Sequence, residues 1–295
     1  MFPITVFTPA YNRADLLPRC YESMKRQTCK NFIWMIIDDG STDGTKDLAT
    51  SWVNEPNDFQ VLYFYKANGG LHTAYNEAIS HIETDLCVCI DSDDFMPDDA
   101  IEKILNFWSI HGSDQYAGIV GLDFTLDGNV IGDKLPDQKC INLIDLLTGK
   151  YPIVNGDRTN VVRTELYKKF APMKVFQGEK NFNPHYMHLQ ISQNYDFLVL
   201  NENLRFVEYQ VGGMTDSMLK QYLNSPNSFA EIRKLYLSFP NTSFNFKFKH
   251  SIHLVSSLIL AKKIRKLFSY SSKTFISLLA IPFGFLLSIY IKIKT

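Results

Sequence analysis

The sequence predicts an α/β fold: a mostly parallel sheet with helices on both faces, followed by C-terminal helices of a different character. Three observations predict it. Four short apolar segments recur within the first hundred residues, at 4–8, 32–37, 61–65 and 86–90. A stretch with helical apolar spacing follows each of them. Each apolar segment also stops abruptly at a polar loop. Strands separated by helices of this length return to the sheet through crossovers and therefore run parallel.

The elements can be justified in order. Ile4-Thr5-Val6-Phe7-Thr8 reads as a buried strand, turned by Pro9-Ala10-Tyr11-Asn12-Arg13 into a helix where Leu17, Tyr21 and Met24 recur at helical spacing. Residues 32–37 form the second strand. It closes in Asp38-Asp39-Gly40-Ser41-Thr42-Asp43-Gly44-Thr45, and a helix through residues 46–52 follows. The third strand, 61–65, leads through Asn68-Gly69-Gly70 into a helix carrying Ala74, Ala78 and Ile82. The fourth is residues 86–90. Pro97-Asp98-Asp99 then opens a helix through Ile101, Ile104 and Leu105, its aspartates read as caps that face the helix dipole. Beyond residue 125 the pattern loosens. Asp127-Gly128-Asn129 reads as a hairpin turn, and 157–214 mixes short helical and extended pieces. These changes divide the chain into 1–125, 126–242 and 243–295.

Charge is distributed unevenly. Residues 243–295 hold nine Lys or Arg and no Asp or Glu. Taking those nine from the chain's 30 basic residues leaves 21 against 31 acidic ones in the body. A basic tail on an acidic body points to an anionic surface as partner and argues against nucleic-acid binding. Met1-Phe2-Pro3 runs straight into a strand-like segment, so no secretory leader is expected. The five cysteines lack disulfide or zinc spacing; Cys87 and Cys89 read as small apolar groups on one strand face, in a reducing cytoplasm.

The most informative feature is Asp91-Ser92-Asp93-Asp94, directly after the apolar run 86–90. Like charges a few ångströms apart repel by about 4 kcal/mol per pair at an effective dielectric of 20. A positive partner is therefore expected, and hard carboxylate oxygens select Mg²⁺ or Mn²⁺. Ligands of open α/β sheets bind at the carboxyl ends of strands, where all four polar loops should gather. The Thr8 to Asn12 loop offers backbone groups and an aromatic ring, and the Asp38-Asp39-Gly40-Ser41 loop offers carboxylates. Asn68-Gly69-Gly70-Leu71-His72 brings bare backbone to a helix N-terminus suited to anions.

Thr8-Pro9-Ala10-Tyr11-Asn12-Arg13, Ile37-Asp38-Asp39-Gly40-Ser41-Thr42-Asp43, Asn68-Gly69-Gly70 with Asn76, and Asp91-Ser92-Asp93-Asp94 together resemble the inverting family 2 glycosyltransferases of bacterial surface and capsular polysaccharide assembly. The likeness covers roughly residues 3–215. It implies a GT-A fold, a nucleotide-diphospho-sugar donor (a UDP-sugar above others) and Mn²⁺ or Mg²⁺ held by a D-x-D motif. It also implies that Thr8, Ala10 and Tyr11 line the nucleoside pocket and that Asp39 bonds the base. Asn68, Gly69, Gly70, His72 and Asn76 would lie near the base or diphosphate, Asp91 at ribose or metal, and Asp93 at the metal. Inversion needs a base on the opposite face of the sugar. In the matching zone Gly178-Glu179-Lys180-Asn181-Phe182-Asn183-Pro184-His185, the candidates are Glu179 and His185.

Other features carry blander readings. Asp38 and Asp39 are alternatively turn caps, Asp157-Arg158 is either an ion pair or an acceptor contact, and Lys180 beside Glu179 is alternatively a solvated pair. His111, His188, His250 and His253 show no ligand spacing. Residues 274–291 are an uncharged run of 18, at the short limit for a membrane span and interrupted by Pro282 and Gly284. With Lys262-Lys263-Ile264-Arg265-Lys266 before it, the run reads as spanning, lying in, or docking near a membrane, with a core helix packed onto the catalytic domain as the alternative. Peripheral or monotopic attachment to the cytoplasmic face of the cell membrane is the expectation, with a lipid-linked saccharide as acceptor. The competing functions are a sugar-nucleotide-forming nucleotidyltransferase and a membrane-docked, non-catalytic sugar-nucleotide-binding module. The first would need a Gly-rich basic loop after strand one, which Pro9-Ala10-Tyr11-Asn12 is not.

Overall fold

A computed structural model describes residues 3–210, 217–270 and 274–295. The chain divides into two compact units: residues 1–69, 73–173 and 187–209 form the first, and 70–72, 174–186 and 210–295 the second.

The sheet lies in the first unit. β1 (Ile4–Ala10) and β2 (Phe32–Asp38) are buried almost throughout. Near-continuous apolar strands of this kind belong to a sheet covered on both faces. With β3 (Gln60–Tyr65) and β4 (Leu86–Cys89), they form the parallel front of the sheet. Their connections are α1 (Leu17–Arg26), α2 (Thr45–Asn54) and α3 (Leu71–His81). α1 buries Leu17, Cys20, Tyr21 and Met24, one apolar stripe at helical spacing. Tyr21 stacks on Trp34 of β2 and Trp52 of α2, with ring centroids 5.6 and 4.4 Å away, and the two indoles lie 5.7 Å from each other.

After α4 (Ala100–His111) the same sheet continues past residue 125. β5 (Tyr116–Thr125), β6 (Cys140–Ile141), β7 (Arg158–Arg163) and β8 (Asp196–Val207) extend it. The short helices α5 (Leu143–Leu147), α6 (Thr164–Phe170) and α7 (His185–Ile191) lie between them in sequence. Among the described residues the order is β3-β2-β1-β4-β7-β5-β8-β6, with β7 antiparallel to β4 and β5, and β6 antiparallel to β8. The mostly parallel α/β architecture read from the sequence is therefore present. The turn at Asp127-Gly128-Asn129 forms too: Gly128 N donates to Thr125 O at 2.9 Å.

The second unit is helical: α8 (Met218–Asn224), α9 (Pro226–Ser238), α10 (Phe244–Leu260), α11 (Leu267–Tyr270) and α12 (Thr274–Lys294). Its core joins Ala230 and Leu237 of α9, Leu254, Val255 and Leu258 of α10, Leu267, and Ala280 of α12.

Register aligns the strand ends. Ala10 is level with Asp38, and Asp38 with Tyr65, so three loops leave the sheet side by side. Gly70, at the end of the third loop, has φ +93°, and a Cβ there would meet the Lys180 carbonyl oxygen at 1.9 Å. Gly70→Ala should therefore lower stability by about 3 kcal/mol. Gly128→Ala, at φ +78° with nothing within 4 Å, should cost about 1 kcal/mol. Urea midpoints of the two variants measure the difference.

Candidate active site

The first two loops are tied together before any ligand enters. Asp38, fully buried, accepts from Ser41 N at 2.8 Å and from the Tyr63 hydroxyl at 2.7 Å, so it caps its turn. Asp39 Oδ1 accepts from Lys66 Nζ at 2.5 Å and Gly69 N at 2.9 Å, and Asn68 Nδ2 donates to the Asp39 carbonyl at 2.8 Å. Asp39 thus joins the second loop to the third. Asn12, at φ 52°, accepts from Thr42 N at 2.8 Å and donates its own N–H to Ser41 Oγ at 2.9 Å, bracing the first loop on the second. Tyr11 stands out from this frame, about half exposed.

Two donor-site candidates turn out to be engaged in structure. The Thr8 side chain is fully buried and its hydroxyl accepts from Trp34 Nε1 at 3.0 Å, so Thr8 packs beneath the loop. Ala10 is buried beside it. Asn76 clamps the backbone of Met173, accepting from its N–H at 2.8 Å and donating to its carbonyl at 2.9 Å. Each polar end of that amide is thus engaged by the Met173 backbone, which makes Asn76 a brace between α3 and the segment after α6. In the second unit, His72 is buried with its ring 6.2 Å from that of Phe182.

The positive partner that the carboxylates of the fourth loop require is Arg205 of β8. Its Nη1 lies 3.3 Å from Asp91 Oδ2 and 3.4 Å from Asp94 Oδ2, while Nη2 and Nε bond Asp123. Asp123 is fully buried and Asp94 nearly so. Withdrawal from water pushes the Asp94 carboxyl up to about 8; Arg205 opposes that rise, and the charges of Asp91, Asp93 and Asp123 add to it. β8 also holds the loop by backbone: Phe206 N donates to Phe95 O at 2.8 Å, and Phe95 N to Phe206 O at 3.2 Å. Arg19 bonds the Asp93 carbonyl and pairs with Glu208. The half-buried carboxylate of Asp93 is left without a hydrogen bond or ion pair among the described residues.

A divalent cation fits this donor set in one specific way. Among the described residues no three His, Cys, Asp or Glu groups converge to hold a metal alone. Mg²⁺ and Mn²⁺ commonly bind through one or two carboxylates completed by substrate phosphates. Asp93, with the second oxygen of Asp91, offers that partial site.

The two candidate bases differ sharply. Glu179 is 6% exposed, and both its oxygens are saturated. Oε1 accepts from Asn227 N and Nδ2 at 2.8 and 2.6 Å, and Oε2 from Ser228 N and Oγ at 2.8 and 2.7 Å. These donors open α9, so Glu179 caps that helix and faces its positive end. His185 begins α7, with its N–H on Asn183 Oδ1 at 2.9 Å. Burial lowers its pKa to about 4, which keeps the imidazole neutral and able to accept a proton at pH 7.

Other sequence readings resolve structurally. Asp98 pairs with Arg26 at 3.0 Å, and Asp99 with Lys103; Asp99 holds the N-cap position without a capping hydrogen bond, contrary to the expected cap. Arg158 bonds the carbonyls of Ile131, Asp133 and Asp157, while the Asp157 side chain accepts from Tyr209, so the two do not form an ion pair. His188 bonds Tyr167 in the core. Arg205, Asp123 and Lys66 escaped the sequence reading. The available signal was Asp123, a lone carboxylate inside the apolar segment β5.

Residues 5–131 match the sequence profile of "Glycosyl transferase family 2". The chain is 35% identical over 228 residues to the chondroitin synthase of Escherichia coli, covering 68% of this chain and 32% of that protein. It is 32% identical over 101 residues to the glycosyltransferase GlyA of Streptococcus pneumoniae, covering 34% of this chain and 14% of that one. The chain thus spans about a third or less of the length of these relatives. Its fold resembles S. aureus TarS 1–349 in complex with UDP-GlcNAc (TM-score 0.60, 19% identity, 92% of this chain and 74% of that one). It also resembles the mannosyltransferase PcManGT of Pyrobaculum calidifontis in complex with GDP-Man and Mn²⁺ (TM-score 0.59, 14% identity, 98% and 87%). The fold is therefore GT-A-like.

Arg205→Met should destabilise the first unit by about 3–5 kcal/mol, because it leaves buried carboxylates without their cation. Adding Asp123→Asn should restore part of the loss. Urea unfolding of the single and double variants measures both effects.

Proposed function

With a glycosyl transferase family 2 domain at residues 5–131, we propose that this chain transfers one sugar, with inversion, from a UDP-sugar to a lipid-linked saccharide in polysaccharide assembly. Mn²⁺ or Mg²⁺ bound with the donor would assist, and the work would be done at the cytoplasmic face of the cell membrane. The observation that carries this reading is the unpaired, half-buried Asp93 carboxylate beyond the exit of β4, on a loop tied to β8 through Arg205 and the Phe95–Phe206 backbone pair. The UDP-GlcNAc of the TarS complex and the chondroitin synthase relative support a UDP-sugar. The apolar helical segment Phe275–Lys294, long and apolar enough to cross a membrane by length and composition, supports membrane association.

The chemistry follows from charge. Breaking the bond between sugar and diphosphate builds negative charge on the leaving phosphate, which a bound dication would neutralise. Asp93 and Asp91 would hold that dication, while Arg205 keeps Asp91 oriented. Asp39, fixed by Lys66, Gly69 N and Asn68 Nδ2, would meet the base at the junction of the second and third loops. Opposite the leaving group, a proton must leave the acceptor hydroxyl. His185 is the better base, since the oxygens of Glu179 are committed to α9.

Three outcomes test the reading. Asp93→Ala should abolish Mn²⁺-dependent release of nucleoside diphosphate from a panel of sugar nucleotides; unchanged release would remove Asp93 from the site, and preference for a GDP-sugar would overturn the UDP assignment. His185→Asn should lower turnover by about 10²–10⁴-fold with donor affinity kept, whereas Glu179→Gln should chiefly lower the unfolding midpoint. Because His185 turns cationic only below about pH 4, kcat/KM should stay level through pH 6–7 and fall toward pH 4. An acid limb centred near 6.5 would mean that a different base is at work.

A further inference from the structure

The helical hairpin of the second unit has the polarity of a protein that faces lipid. α12 packs on α10, α8 and α11, and Ser277, Ala280, Gly284, Ser288 and Ile291 are buried along it. At Gly284 the approach is so close that a Cβ would lie 2.5 Å from the Val255 side chain and 2.8 Å from the Ile252 carbonyl. The bulky side chains point the other way: Phe275 is 71% exposed, Leu286 62% and Ile293 76%, with Leu279, Phe285 and Tyr290 between them. A hairpin shaped by water would bury the phenylalanines and leucines and expose the serines. Small residues between helices and large apolar residues outside is the arrangement that hydrocarbon favours.

We propose that the outward face of α12 lies flat on an anionic lipid surface, entering one leaflet without crossing it. The proposal rests on the membrane-attached reading above and deepens it. Charge selects the occupant. Lys262, Arg265 and Lys266 precede the helix and Lys292 and Lys294 end it, all exposed, and residues 243–295 contain no acid. A basic rim around an apolar face complements anionic headgroups over acyl chains.

The flat orientation follows from what lies beside the helix midpoint. Phe283 packs on Phe248 of α10 with ring centroids 5.6 Å apart, and Gly284 on Ile252 and Val255. Exposed Lys249 is therefore level with the middle of α12, and on the same helix His250 bonds Arg233 of α9 at 3.1 Å. Crossing would carry this charged flank to the bilayer centre, where a lysine costs about 2.5–3.5 kcal/mol or more. Lying flat leaves α10 and α9 on the water side.

The test is flotation of the full chain with phosphatidylcholine vesicles, with and without phosphatidylglycerol. Binding should require phosphatidylglycerol and weaken about tenfold or more in Leu286→Glu and Phe275→Glu. Ile110→Glu, at a residue 74% exposed on α4, should bind as wild type. Undiminished binding of the α12 variants would overturn the proposal. So would a dimer in lipid-free light scattering that Leu286→Glu dissociates, since a second copy would then cover the face. An impermeant amine reagent added outside should label Lys292 and Lys294 in the bound protein; protection of those two lysines would show crossing and overturn the flat geometry. Donor hydrolysis, followed in the same samples, should be unchanged by Leu286→Glu. Flotation without any hydrolysis by wild type would leave the docking intact and remove the transferase reading instead.

Discussion

The guanidinium of Arg205 sits where Asp91, Asp94 and Asp123 converge, and the geometry of the candidate site depends on that convergence. Two of the three carboxylates are almost wholly withdrawn from water. Buried charges of one sign cannot be held together without a cation in fixed geometry. A lysine would supply a point charge, whereas the planar fork of arginine reaches several acceptors at once. By placing that fork on β8, the fold makes the D-x-D loop part of the sheet. The Phe95–Phe206 backbone pairing and the Arg19 bond to the Asp93 carbonyl complete the attachment.

This arrangement explains which parts of the site were legible in the sequence. The apolar segments at residues 4–8, 32–37, 61–65 and 86–90 became β1 to β4; β1, β2 and β4 are buried on both faces, which leaves a continuous apolar run, while β3 is the half-exposed edge strand. The polar loops followed directly from where those runs stop. The need for a positive charge beside Asp91 was also legible, since it follows from Coulomb repulsion alone. Its identity was not. Arg205 lies 114 residues from Asp91, and only the pairing of β8 with β5 brings it there.

Glu179 illustrates the opposite difficulty. An acid ahead of a helix in the second half of the chain has the right chemistry for a base and equally for a cap. The choice depends on whether donors reach it, and those donors, Asn227 and Ser228, lie almost fifty residues downstream. Asn76 is similar: its residue type suits a ligand, but its amide matches the backbone of Met173. Thr8 was ambiguous for a simpler reason, as the last position of a strand can face core or loop, and here the Trp34 indole turned it inward. Local sequence reveals what a side chain is able to do, while long-range pairing decides which of those roles remains available.

The same logic orders events at the proposed metal site. Arg205 already bridges Asp91, Asp94 and Asp123, so the loop has a cation of its own that holds its shape. What remains is the unpaired carboxylate of Asp93 and one oxygen of Asp91, too few ligands to hold Mg²⁺ or Mn²⁺ firmly by themselves. A diphosphate adds oxygens of its own and charges that the acidic loop could not otherwise tolerate. Metal and donor should therefore bind cooperatively, each supplying what the other lacks. An arginine that removed the need for a resident metal would in this way tie the metal to the arrival of the substrate.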